Sequence, residues 1–434
     1  VTDDAPLPLR WVACNREGED PRVAKDSLPD PHRAQAAARI FHRLNLPHAS
    51  PSPGTLVSWA TAAHYGALGI CSCSPPHLLP VIPPSLKRII AYAYAPTSPQ
   101  CHGVAQAPPA TDLFHLSLQS LCEVLRVTPC HEQGIRGTGV AIALPDTGFA
   151  AHPWFESHGY DIRRVSTVDG MDPAEDEQGH GTAACANALA VAPGATLLGI
   201  RQADFSATAL EVALAQSPHV LSCSWGWDKD YQSRDQLRRT EPHTALQFDD
   251  MERIIRGAIQ EGTTVVFSAG NGERAFPASM PEVIAVGGMT WTEQGDLVPS
   301  SLAGSYASQF YPGRLVPDLC GIVGEGGKYP RKGHIMLPTS RASVLEGENL
   351  PLGKTTSGWA ITSGTSSAAP QVAGLIALIL EVNPELKPME VGAILRNTAR
   401  GIPSPETGAG LVDGEAACRM ARTWSPTGAS RPPS

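Results

Sequence analysis

With 434 residues, 42% hydrophobic and 17% charged, the chain can bury a large domain beside a smaller one, and global disorder is excluded. A formal net charge of −9 with no basic stripe gives no electrostatic case for nucleic acid. No apolar run reads as a membrane span; Leu375 to Val382 is far too short.

Residues 1–115 are rich in Pro, His and Ala and form a region of their own. Pro31 to Leu44 has helical spacing, Leu56 to Ile70 is an apolar run, and Arg88 to Ala95 alternates as a strand does. Pro96 to Thr111 reads as a linker. His32, His42, His48, His64 and His77 share no ligand spacing and read as solvated or core histidines. Ten cysteines are scattered along the chain, and no paired Cys-x-x-Cys spacing marks a zinc site. Disulfides between Cys71 and Cys130 fit the pattern, and the redox compartment stays open. The first residue is Val1, with no charged-then-apolar leader behind it.

From about Asp112 short apolar strands alternate with helices. Val140 to Leu144, Thr196 to Arg201, Val220 to Ser224, Thr264 to Ser268 and Val283 to Val286 read as strands. Gly181 to Val191, Ala207 to Gln216 and Phe248 to Glu261 read as helices, the last amphipathic through Met251, Ile254, Ile255, Ala258 and Ile259. This alternation predicts an α/β fold, a mostly parallel central sheet with helices on both faces. In such sheets functional groups collect at the carboxyl ends of strands, where Asp146, Ser224 and Asn271 fall. Ser300 to Thr356 is loop-rich and Pro388 to Thr398 is a further helix. The large domain thus spans residues 116–424, and 425–434 is a Pro/Ser tail expected to be disordered.

The stretch Thr362 to Leu380 carries the strongest signal. A small polar turn runs into a helix that is apolar on every side, and such a helix is buried. Ser366 stands at its start, where unpaired backbone N–H groups and the helix dipole favour negative charge. A hydroxyl nucleophile needs a base, and the base needs a group to hold its tautomer. His180, in Gly-His-Gly-Thr at a helix start, suits the base; Asp146, in Asp-Thr-Gly at a strand end, suits the orienting carboxylate. Asn271, in a glycine-flanked turn, can aim an amide donor at a developing oxyanion. Singly, each motif is a common turn or cap; together they are specific.

In that order these residues resemble the subtilisin-like serine proteases. The resemblance rests on G-T-G-V-A-I-A-L-P-D-T-G at 137–148, G-H-G-T at 179–182, V-L-S-C-S-W-G at 220–226, V-F-S-A-G-N-G at 266–272 and S-G-T-S-S-A-A-P-Q-V-A-G at 363–374. Pro317-Asp318 and Gly410 to Asp413 are later landmarks, so the likeness runs from about 118 to 420. It implies the three-layer subtilisin-like fold, a triad of Asp146, His180 and Ser366, and Asn271 in the oxyanion hole. It also implies that Ser224, Trp225 and Gly226 form the strand on which an extended polypeptide substrate pairs. Residues 1–115 have the length and position of an inhibitory propeptide, with an attached accessory domain as the alternative. A secreted or extracytoplasmic setting is the expectation. No cofactor is required, and structural calcium is common in the family, but its usual ligand loops are not recognisable and no metal residues are assigned.

Several departures accompany the likeness. Pro145 precedes the aspartate, Ala183 stands where the family usually has a second histidine, and Ser367 replaces a frequent Met. The charged segment Asp228 to Gln247 reads as a solvated insertion beside the substrate strand, able to gate it. Trp225 and Trp227 suggest a bulky specificity wall, and Cys185 and Cys223 read as small buried residues. The expected activity is endopeptidase hydrolysis through an acyl-enzyme. A transpeptidase or macrocyclase using the same acyl-enzyme, or an inactive peptide-binding protein, are the alternatives.

Overall fold

A computed structural model describes residues 115–203, 207–228, 233–325, 333–348 and 358–424, and four earlier strands by backbone alone. Strand β1 (Leu9–Cys14) pairs antiparallel with both β2 (Ala67–Ser74) and β3 (Ile90–Tyr94). β3 falls where the alternating pattern at Arg88 to Ala95 places a strand. The expected helix at Pro31 to Leu44 and the tail at 425–434 lie outside the described residues. Within the stretch expected to be a linker, β4 (Gln100–Cys101) is instead a strand.

The large domain is built on an eight-stranded sheet. Its first half holds β5 (Ala141–Asp146), β6 (Asp161–Ser166), helix α1 (His180–Val191), β7 (Thr196–Arg201), α2 (Ala207–Leu214) and β8 (Val220–Cys223). A short strand, β9 (Trp225–Asp228), leaves the sheet directly after β8. Next come α3 (Arg234–Thr240), α4 (Pro242–Gln260), β10 (Thr264–Ser268) and the short β11 (Ala275–Phe276). β12 (Ile284–Trp291), β13 (Leu297–Pro299) and β14 (Leu319–Ile322) complete the sheet. The order is β13-β12-β10-β8-β5-β7-β6, with β14 also on β12. All of these pairs are parallel except β12 with β13. The expected α/β architecture is the one found.

Alternation along the strands divides the interior in two. Ile142, Leu144, Val220, Val266, Ile284 and Val286 point to one core, with α1 and the long helix α5 (Thr365–Val382). Ala143, Leu221, Val265, Phe267 and Ala285 point to the other, with α2 and α4. A parallel sheet covered on both faces must be apolar on both, which is why its strands read as unbroken hydrophobic runs.

Pro145 fits this sheet because of where its backbone faces. Even-numbered residues of β5 turn toward β7: Thr196 N–H donates to the Val140 carbonyl and Gln202 N–H to that of Asp146. Odd-numbered ones turn toward β8, but that ladder ends at Ala143. The missing N–H of Pro145 is therefore not demanded by any strand. Its carbonyl accepts the Trp225 indole N–H at 2.9 Å.

By length and hydropathy α5 does pass as a membrane span, which amends the sequence expectation. It is nonetheless 89% buried inside the domain. It crosses α1 so closely that a Cβ on Gly374 would lie 2.7 Å from the Ala188 carbonyl oxygen. Helix α6 (Gly414–Thr423) packs on its far side. The charged insertion is only partly solvated. Ser233 caps α3 by accepting the Gln236 N–H, Leu237 is buried, and Arg234 lies over the Phe276, Phe310 and Tyr311 rings. Ion pairs of Arg234 with Asp249 and Glu252, these cation–π contacts and a buried leucine hold the segment down.

Candidate active site

The residues singled out at strand ends and helix starts converge beyond the carboxyl edge of the sheet. Asp146, the last residue of β5, is fully buried. Its Oδ1 accepts the His180 Nδ1–H at 2.7 Å and the Thr147 N–H at 2.8 Å. That contact fixes the imidazole tautomer, leaving Nε2 as the acceptor. Gly179 precedes His180 with φ of +82°, and a Cβ there would lie 2.1 Å from Thr339 Oγ1. Both the left-handed backbone and the close neighbour require glycine.

A carboxylate that motif reading missed holds this corner together. Asp176, 2% exposed, accepts four hydrogen bonds: from Thr147 Oγ1 (2.7 Å), the Gly179 N–H (2.8 Å), the Thr182 N–H (2.9 Å) and Thr182 Oγ1 (2.6 Å). It thereby ties the turn after β5 to the first turn of α1. Its spacing, three residues ahead of Gly179, is the reach of a capping side chain and was the available signal. Burial pushes the Asp176 carboxyl pKa up, against the hydrogen bonds from Thr182 and Thr147. For His180, burial opposes the charged form, but the Asp146 charge, its hydrogen bond and the nearby Asp176 outweigh it. The His180 pKa is raised above 6.5.

Ser366 lies in the first turn of α5, after Gly364. Ser366 and His180 line the same small cavity, together with Ala183, Ala184, Leu345 and Thr362. Ala183, in place of a second histidine, is thus one wall of this space. Ser366 Oγ donates to the Ser224 carbonyl at 3.1 Å, and Ser224 Oγ donates to the Ser366 carbonyl at 2.9 Å. The start of α5 is in this way tied to the entrance of β9. Asn271 follows β10, and its Oδ1 accepts the Thr365 N–H at 2.8 Å and Thr365 Oγ1 at 3.2 Å. All four groups, from four separate elements, meet at one end of the sheet.

β9 carries Trp225 and Gly226, whose backbone pairs antiparallel with β4: Trp225 opposite Cys101 and Gly226 opposite Gln100. The rings of Trp225 and Trp227 do not form the expected specificity wall. Both are buried in the second core, edge-on to each other at 5.6 Å, with Trp225 also against Phe267. Anchored by these rings, β9 presents the backbone of Trp225 and Gly226 to β4, which covers it. Cys185 and Cys223 are free and buried, and burial pushes both thiols up, so neither forms a thiolate readily. Among the described residues, no group of three or more His, Cys, Asp or Glu is placed to hold a metal ion.

The Subtilase family signature matches residues 137–414, which contain all four groups. The chain belongs to the subtilase family. Membership makes it a hydrolase of the subtilisin-like serine class. This subtilase is 28% identical over 303 residues to M-protease of Shouchella clausii, covering 67% of each chain. It is 29% identical over 296 residues to a calcium-dependent protease of Nostoc, covering 60% of this chain and 42% of that one. Among solved structures it is similar to fervidolysin of Fervidobacterium pennivorans, a keratinolytic enzyme related to subtilisin. That likeness has a TM-score of 0.60 at 18% identity and covers 96% of this chain and 62% of fervidolysin. At that identity the likeness speaks for the fold alone.

Proposed function

We propose that this subtilase is a serine endopeptidase using Asp146, His180 and Ser366 as its triad. His180 Nε2 takes the Ser366 proton as Oγ attacks a peptide carbonyl. Asp146 stabilises the imidazolium, which then passes the proton to the leaving amine. Water, deprotonated by the same imidazole, resolves the acyl-enzyme. The observation that carries this reading is the shared cavity of His180 and Ser366, with Asp146 fixed behind the imidazole at 2.7 Å. In the resting arrangement Ser366 donates to Ser224, and rotation about its χ1 turns the hydroxyl toward the imidazole.

Asn271 is the proposed oxyanion donor. With Oδ1 held by Thr365, its Nδ2 group is the end able to donate toward the attacked carbonyl. Asn271→Ala is expected to lower kcat by about 10²–10³ with little change in KM, because the donor acts on charge that appears only in the transition state. Steady-state kinetics on one peptide substrate checks this. A rise in KM at constant kcat would instead make Asn271 a ground-state contact.

Residues 1–115 are proposed to act as an inhibitory segment. Two features support this: β4 occupies the peptide-pairing edge of β9, and β3 lies against α4. Structural calcium, suggested by the name of the Nostoc relative, is assigned to no residues here.

The test is intact mass spectrometry after exposure to a fluorophosphonate probe, with Ser366→Ala beside the unmodified chain. One adduct, absent from the variant, is the expected result. If the adduct forms only on a species shortened just beyond Cys101, the N-terminal region is inhibitory. No adduct on any folded species would overturn the peptidase reading.

A further inference from the structure

A second cavity, of about 650 Å³, opens between the short helix Pro153–His158 and the start of the strand Trp359–Thr362. Small-molecule sites commonly measure about 300–1,000 Å³. This cavity shares no lining residue with the one that holds His180 and Ser366. Thr339 lines it and donates through Oγ1 to the Gly179 carbonyl at 2.9 Å, so one hydrogen bond separates it from the turn that carries His180.

His152 locks the two sides together. Its Nδ1 accepts the Trp154 N–H at 3.1 Å, its ring bonds the Gly358 backbone, and it stands edge-on to Trp359 at 5.3 Å. A Cβ on Gly358, whose φ is +79°, would lie 3.0 Å from His152 Nε2, so glycine permits this close approach. Trp154 is braced in turn by Phe155 and Tyr160. The cavity is therefore preformed, with two half-buried indoles and Pro153 as its flat apolar lining.

Its polar lining is one-sided. The Ser157 and Thr339 hydroxyls already donate to the Trp154 and Gly179 carbonyls. Burial pushes the His152 pKa down, so that ring is neutral near pH 7. Arg341 is the one charged side chain on the lining, and it is exposed. Among the described residues, neither its guanidinium nor the Trp154 indole N–H has a hydrogen-bond or ion-pair partner. A cation and an uncommitted donor thus border an aromatic space whose lining holds no carboxylate.

We propose that this cavity is a binding site for an aromatic carboxylate, separate from the peptidase site and independent of that reading. The ring packs against Trp154 and Trp359, edge-on or offset as aromatic pairs prefer. The carboxylate pairs with the planar guanidinium of Arg341 through two parallel N–H···O bonds. A free aryl acid and the C-terminal aromatic residue of a peptide carry the same chemistry.

The test is isothermal titration calorimetry on the full chain carrying Ser366→Ala, so that no peptide probe is turned over. Phenylacetate is expected to bind at a single site, and phenylacetamide about 10- to 100-fold more weakly, the size of a hydrogen bond to a charged group. Hexanoate, with the charge but no ring, is expected to bind about 3- to 10-fold more weakly. Adding Arg341→Ala is expected to weaken phenylacetate by the same factor as the amide does, and to leave phenylacetamide unchanged. Because Arg341 is exposed and unpaired, the melting temperature should not move. A tripeptide ending in phenylalanine that binds more tightly than phenylacetate assigns the site to chain ends, and one that binds more weakly assigns it to free acids. Acid and amide binding alike, a dissociation constant unmoved by Arg341→Ala, or no heat from any probe at millimolar concentration overturns the inference. None of these outcomes touches the fluorophosphonate result at Ser366.

Discussion

Ser366→Ala and His180→Ala are each expected to lower kcat by about 10⁶, and the double variant to fall no further. The nucleophile and its base act as a unit. Without His180 the serine proton has no acceptor near neutral pH, and without Ser366 the imidazole has nothing to deprotonate. Once either is gone, removing the other costs nothing more. Residual hydrolysis then rests on substrate alignment along β9 and on Asn271, about 10³–10⁴ above water. The two variants differ in their burden on the fold. Ser366→Ala loses one hydrogen bond, to the Ser224 carbonyl, at a cost of about 1 kcal/mol. His180→Ala leaves the fully buried Asp146 carboxylate without its imidazole donor, which costs more, about 1.5–3 kcal/mol. Ser366→Ala is therefore the cleaner probe, read by initial rates after confirming an unchanged melting temperature. Additive losses in the double variant would mean that His180 and Ser366 serve separate steps, and the triad assignment would fail.

Legibility from sequence followed the range of the interactions. Asp146 and Asn271 could be read because each ends an apolar strand in a short glycine turn, a signal complete within ten residues. Ser366 was legible because a polar turn gives way to a helix with no solvent face. The contacts that span the chain could not be read. Asp176 is legible locally as a cap on Gly179 and Thr182, but not as the acceptor of Thr147, 29 residues away. Trp225 and Trp227 were misread for a related reason. Their strand alternates, but which face is apolar depends on Phe248 and Phe267 from other elements. β4 was hidden in a proline-rich stretch because a two-residue strand paired with a distant stretch of chain has no periodicity to detect.

Asp146→Asn is expected to lower kcat by about 10⁴ while the fold persists. The amide can hold the imidazole in the wrong tautomer, and it carries no charge to stabilise the imidazolium. The pH profile separates this from simple loss of structure. A general base must be neutral, so kcat/KM in the unmodified enzyme falls as pH drops through the His180 pKa, which lies above 6.5. Asp146 supplies the charge and the hydrogen bond that raise that pKa, while burial lowers it. With the charge removed, burial prevails and the acid limb moves to lower pH. Stability carries the opposite sign to activity. A histidine with a raised folded pKa stabilises the fold fully below its unfolded value, and this contribution is lost as pH rises through the folded value. The protein is thus held most firmly by the Asp146–His180 pair where it is least active, and Asp146→Asn erases that low-pH contribution. Rate profiles and melting temperatures measured over one pH series test both halves. An acid limb that stays in place or moves upward would assign it to a group other than His180.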